Sequence, residues 1–215
     1  MKIRACSLLR VVLAVGFAQV ATAIPNTPGL YIVDTTTGQN AYVPIGAGGV
    51  AVFVGTVGDY SVNLGLNASG LTLLGGVDPC LDLQVASAIP GPGATTLKVF
   101  YSDGTFAPGG TGFFNLATTA GPINGSVTSS AYTDSTIFGT TTLLASSADT
   151  GVYTVNGTGA LNPGSTYYVT LEDVIAGTAS SMNTTFNTVP DGATTALLLG
   201  LGLSGVAALR KKFAV

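Results

Sequence analysis

In Tyr60–Leu66 every second residue is apolar. Tyr60, Val62, Leu64 and Leu66 fall on one side, and Ser61, Asn63 and Gly65 on the other. Side chains of an extended chain alternate between two faces, so this pattern belongs to a strand with one buried face. Leu81–Val85 repeats it, with Leu81, Leu83 and Val85 set against Asp82 and Gln84. Thr95–Tyr101 does so again, with Leu97, Val99 and Tyr101 opposite Lys98 and Phe100. Val50–Val57 reads as a more fully buried strand, and Tyr167–Ile175 as an apolar, β-branched one. Val152–Val155 and Met182–Phe186 are shorter candidates.

Punctuation between these runs is dense. Ser102-Asp103-Gly104 and Ala107-Pro108-Gly109-Gly110 read as loop signals, and Asn124-Gly125 and Asn156-Gly157 as hairpin dipeptides. Asn162-Pro163-Gly164 precedes the Tyr167 run, and Ile89–Thr95 (IPGPGAT) reads as a long loop. Gly, Thr, Ser, Val and Ala dominate between residues 24 and 188, where Glu, Lys and Arg are nearly absent. That is poor helix material, and no stretch there carries a helical period. Many short strands with Gly, Pro and Asn turns predict an all-β fold, an antiparallel β-sandwich.

Both ends differ from this body. Lys2, Arg4 and Arg10 precede the apolar run Val11–Val20, and Ala21-Thr22-Ala23 follows. A cationic start, a short apolar run and an A-x-A site make a secretory signal peptide, predicted to be cleaved after Ala23. At the other end Val189, Pro190, Asp191 and Gly192 precede Ala193–Leu209, a run without a charge, and Arg210, Lys211 and Lys212 follow. As a helix that run spans about 25 Å at 1.5 Å per residue, slightly under a bilayer core. It is apolar on all faces, which predicts a membrane-spanning helix with its basic end in the cytoplasm. Pro190 restrains Val189 to extended geometry, so the motif reads as an accessible extended segment outside the membrane. The predicted organisation is a signal peptide over 1–23, an exported domain over 24–188 and a C-terminal signal over 189–215.

Outside the two ends Lys98 is the one basic residue, against nine carboxylates, a net charge of about −8. Such a body repels phosphate backbones, so nucleic acid is excluded as a partner. Cys80 has no internal disulfide partner once the signal is removed; it reads as a buried thiol packing as a small hydrophobe.

Chemistry is sparse. The chain has no histidine, which removes the usual general base and every Ser-His or Cys-His pair. No catalytic residue, cofactor or metal is predicted. Asp149-Thr150-Gly151 spells a protease tripeptide, but that mechanism needs a second carboxylate, and the reading here is a chance turn. Glu172-Asp173 reads as a solvated pair at a strand end, with glycoside hydrolysis as the distant alternative. Asp78 and Asp82 lack the dense oxygen-rich loop of a calcium site. Asn67, Asn124, Asn156 and Asn183 begin Asn-x-Ser/Thr sequons, about as many as a Ser/Thr-rich chain carries by chance. Eight tyrosines and no tryptophan leave a sugar-stacking platform open, although most should pack the core or its rim.

The order of motif, apolar run and basic cluster resembles the C-terminal sorting signals of the PEP-CTERM class, and most closely the Val-Pro-Asp-Ser-Gly variant. Val189, Pro190 and Asp191 stand in the motif's places, and Gly192 and Ala193 occupy its Ser-Gly places. The resemblance implies transient anchoring in the inner membrane. It also implies processing by an exosortase, a membrane-embedded cysteine transpeptidase, in a bacterium that makes exopolysaccharide. Together these readings predict a non-enzymatic exported protein of the cell surface or extracellular matrix, near exopolysaccharide. A carbohydrate-binding module on a β-sandwich is the alternative, and a hydrolase using acidic residues alone the distant one.

Overall fold

The computed structural model describes residues 24–46, 49–73, 76–106, 111–119, 124–149, 153–160 and 166–189. Both predicted targeting segments lie outside them, except for Val189. Among the described residues the chain is all-β and antiparallel. The strands are β1 (Gly29–Asp34), β2 (Asn40–Pro44), β3 (Val50–Val57), β4 (Tyr60–Leu73), β5 (Gly76–Pro90), β6 (Leu97–Phe106), β7 (Thr111–Thr119), β8 (Asn124–Asp134), β9 (Thr142–Asp149), β10 (Tyr153–Ala160) and β11 (Tyr167–Val189).

Everything is arranged about β11. Its first half pairs with β6 on one side and β8 on the other, giving the run β2-β1-β6-β11-β8-β9. Its second half pairs with β5 and β7, giving β3-β4-β5-β11-β7-β10. β2 comes close to β3 and β9 to β10, so the outer strands of the two runs nearly meet and the sheet is nearly barrel-shaped. One apolar core fills the space between. Leu30, Ile32, Leu97, Val99, Leu171 and Ile175 enter it from the first run, and Leu64, Leu81, Leu83, Leu116, Met182 and Phe186 from the second. Each large side chain buried there contributes roughly 2 kcal/mol.

β11 passes between the runs through two local devices. Gly177 lies opposite Gly125 of β8, both with positive φ (112° and 131°). A Cβ on Gly177 would come within 1.9 Å of the Asn124 carbonyl oxygen, and one on Gly125 within 1.8 Å of the Ala176 carbonyl oxygen. Only glycine permits this approach. Four residues on, Ser181 takes φ 54° and is exposed, opposite Ala86, the extra residue where the β4–β5 register shifts. A bulge reverses which side chains face inward. The inward set accordingly changes from Ile175 and Ala179 to Met182, Thr184 and Phe186 on β11, and from Ala88 to Val85 and Leu83 on β5.

The alternation read at Tyr60–Leu66, Leu81–Val85 and Thr95–Tyr101 is present residue for residue. Other expectations are corrected. Val50–Val57 is buried on one face only: Ala51, Phe53 and Val57 point inward, while Val54 is 71% exposed. Tyr167–Ile175 and Met182–Phe186 are two parts of one 23-residue strand. Ser102-Asp103-Gly104 lies within β6, Asn124-Gly125 opens β8, and Asn156-Gly157 lies within β10 opposite Asn115 and Phe114. None of the three is a turn. Residues 162–164 and 107–110 lie outside the described residues.

Candidate functional site

Glu172 and Asp173 stand inside the first half of β11, not at a strand end, and both are buried. Adjacent residues of a strand point to opposite faces. Glu172 therefore faces outward from the first run and Asp173 faces the core.

On the outer face Lys98 Nζ of β6 donates to Glu172 Oε1 at 2.9 Å, and Tyr132 of β8 donates its hydroxyl to Glu172 Oε2 at 3.1 Å. The lone basic residue of the body thus neutralises the lone glutamate of the chain. The lysine is part-exposed, so the pair adds no more than ~1 kcal/mol. Its ammonium lies 5.9 Å from the Phe100 ring centroid. Phe100 stacks on Tyr31 at 6.1 Å, and Phe138 packs on Tyr31 at 5.8 Å and edge-on to Tyr42 at 6.2 Å. Burial pushes the Tyr31 hydroxyl up; burial, joined by the nearby Glu172 charge, pushes Tyr132 up.

Phe138 arrives there on the β8–β9 loop, which Asp134 holds. The Asp134 carboxylate accepts from Thr136 N at 2.8 Å, Thr136 Oγ1 at 2.9 Å, Thr141 N at 3.1 Å and the Thr141 hydroxyl. Burial pushes this carboxyl up, but the hydrogen bonds to its charged form outweigh that and hold it at about 2. Phe138 itself has φ 56°, and its amide donates to Ser102 Oγ at 3.1 Å. Asp34 plays the matching part at the β1–β2 turn. It accepts from Thr36 N, from Thr37 Oγ1 and from Asp59 N of the β3–β4 turn, and these bonds overcome burial to lower its carboxyl.

On the inner face Asp173 has no cation. Thr184 Oγ1 donates to Asp173 Oδ1 at 3.1 Å; Thr118 and Ser129 hydroxyls lie 3.2 and 3.4 Å from Thr184 Oγ1. Asp173 Oδ2 is buried without a hydrogen-bond partner. Burial pushes this carboxyl up to about 7, against the pull of the Ser129 and Thr184 hydroxyls and with help from the Glu172 charge.

The second run presents a polar outer face. Cys80 is buried, as expected, and its thiol donates to Asn187 Oδ1 at 2.8 Å. Asp82, pushed up by burial, is bonded by Gln84 and Asn183, and its Oδ1 and the Asn183 Oδ1 lack partners. Among the described residues no three His, Cys, Asp or Glu side chains come together to hold a metal. Asp149 ends β9 opposite Val127, and Thr150 and Gly151 lie outside the described residues.

Sequence reasoning missed the Lys98–Glu172–Tyr132 cluster. Its one available signal was cation scarcity: Lys98 is the single basic residue of the body, set against nine carboxylates, and residue order alone does not say which of them it meets. Of the predicted sorting residues, Val189 closes β11, paired with Phe113. Pro190, Asp191, Gly192, Arg210, Lys211, Lys212, the run 193–209 and the cleavage residues Ala21 and Ala23 lie outside the described residues. Among those described, no helix is long and apolar enough to cross a membrane.

Comparison with curated proteins finds no match. Among solved structures, one described as "CBM4 structure and function" is similar at 9% identity and TM-score 0.32, over 74% of this chain and 86% of that one. TmCBM61 in complex with beta-1,4-galactotriose gives 9% and 0.30 over 59% and 82%. The PA14 domain of the MpAFP antifreeze protein gives 12% and 0.31 over 80% and 88%. Likenesses this distant carry no argument about ligand or activity. The family model described as "VPDSG-CTERM motif" matches residues 188–213. Residues 188–213, which begin within the last two residues of β11, are therefore a VPDSG-CTERM motif, a PEP-CTERM-like C-terminal sorting signal.

Proposed function

We propose that this chain is a non-enzymatic exported protein of the cell surface or extracellular matrix. Its precursor is held in the inner membrane by residues 193–209 and processed at Val189–Gly192 by an exosortase-like enzyme. The observation that carries the reading is the sorting signal at residues 188–213, which implies export. A structural or adhesive role near exopolysaccharide follows from the class of that signal. Three of the body's carboxylates serve turns and strand contacts: Asp34 and Asp134 tie loops, and Glu172 is held by Lys98 and Tyr132. Intact mass of the protein from native cells tests the reading. The expected extracellular species begins at Ile24 and lacks the segment after the Val-Pro-Asp motif. A membrane species ending at Val215, with no shorter form, would sink it.

A second reading, carbohydrate binding, is favoured by the outer face of the first run, where Tyr31, Phe100 and Tyr132 lie half-buried beside Lys98 and Glu172. Aromatic faces stack on sugar rings, and the part-exposed Lys98 ammonium can donate to their hydroxyls. On immobilised host polysaccharide the protein should then be retained, and Tyr31→Ala with Phe100→Ala should lose at least ten-fold in affinity, about 1.4 kcal/mol. Absence of retention on any matrix polymer removes this reading and leaves the first intact.

A further inference from the structure

Strand and sorting signal share two residues. β11 runs to Val189, and the signal begins at Thr188. The two neighbours of β11 release it at different points. Pairing with β5 runs to Asn187↔Cys80. The next residue of β5 in that direction is Pro79, which brings no amide hydrogen to extend the ladder. Pairing with β7 continues through Thr188↔Phe114 and Val189↔Phe113. The Cys80 thiol pins the same end of β11 through Asn187. Only Pro190, Asp191 and Gly192 stand between the strand and the apolar run that begins at Ala193.

An enzyme that reads a peptide as an extended strand forms main-chain hydrogen bonds along it. The backbone groups that Thr188 and Val189 commit to β7 are not available to a second strand. We propose that pairing of Thr188 and Val189 with β7 competes with the processing enzyme, so that the signal is read when the last two residues of β11 peel away from β7. The inference rests on the reading of the tail as a processed sorting signal. It ties sorting to folding, because β11 joins both runs of the sheet and is the last strand among the described residues. Pairs at a strand end open at low cost, so the competition sets a rate and does not block processing.

Pulse–chase labelling of the full chain in native cells tests this. Ten Gly/Ser residues inserted between Asn187 and Thr188 keep the signal whole and move it away from β7 by roughly 17 Å. Conversion of precursor to mature protein should then speed up by about three- to ten-fold. The same insertion between Pro92 and Gly93, in the β5–β6 loop, should leave the rate unchanged. If wild type is processed and the Asn187–Thr188 insertion matches its rate, the competition is overturned while the sorting reading stands. Equal acceleration by both insertions also overturns it, since loosening of the whole body would then explain the effect. If neither wild type nor insertion is processed, the sorting reading fails and this inference with it.

Discussion

Asp173→Asn should stabilise the folded protein at pH 7.5 by on the order of 3 kcal/mol and have little effect at pH 4. The Asp173 carboxyl is buried in the core without a cation and held at about 7, against an ordinary 3.8. Between those pH values the unfolded chain has released the proton and the folded chain keeps it. Folding there takes up a proton, and each pH unit costs about 1.4 kcal/mol. The stability this group supplies is fully present below pH 3.8 and is lost as pH rises through 7. Asparagine has no proton to lose, so position 173 adds no pH dependence to the variant across that window. The amide leaves a buried donor where Asp173 Oδ2 now lacks a partner, which sets back the gain by about 1 kcal/mol.

Urea denaturation of both proteins at several pH values measures the difference. Burial also raises Asp82 and Asp103, but they are common to both proteins and cancel in it. Asp34 and Asp134 are lowered, so their stabilisation is lost only as pH falls below the ordinary carboxylate range, outside the window. Parallel stability curves for wild type and variant from pH 4 to 8 would show that Asp173 is not a buried, proton-holding group.

The same residue shows where sequence reasoning stopped. Local alternation identified strands with their inward faces, because one buried face imposes a period of two whatever the partner strand is. Tyr60, Val62, Leu64 and Leu66 needed no knowledge of β5 to be read as core. Glu172-Asp173 was different. Two adjacent acids in isolation read as solvated, and what buries them comes from far along the chain: Lys98 is 74 residues away from Glu172. Asn124-Gly125 carried a real signal with the wrong meaning. The glycine is required for positive φ, but what demands it is the backbone of Gly177 across the sheet and not a tight turn. Gly177 and Ser181 likewise disguised one strand as two, because a bulge and a glycine crossing break the period that a continuous strand would show. The tail was legible because targeting signals are read linearly, from residue order and hydropathy, with no tertiary partner.

The largest effect on the protein's fate should come from the motif itself. Pro190 and Asp191 lie past the end of β11, so Pro190→Ala with Asp191→Ala alters the signal without touching a paired residue of the sheet. Adding Val189→Ala removes the third motif residue and a single strand-end side chain. The β body should fold alike in both variants, with unfolding free energies in urea within about 0.5 kcal/mol of wild type, as for substitutions away from the core. The measurement that tests sorting most directly is therefore fractionation of native cells carrying the triple variant. The expected result is nearly complete retention of precursor in the membrane fraction, with extracellular protein reduced at least ten-fold. Release equal to wild type would show that Val189–Asp191 is not the element read by the processing enzyme, and that the body reaches the outside by another route.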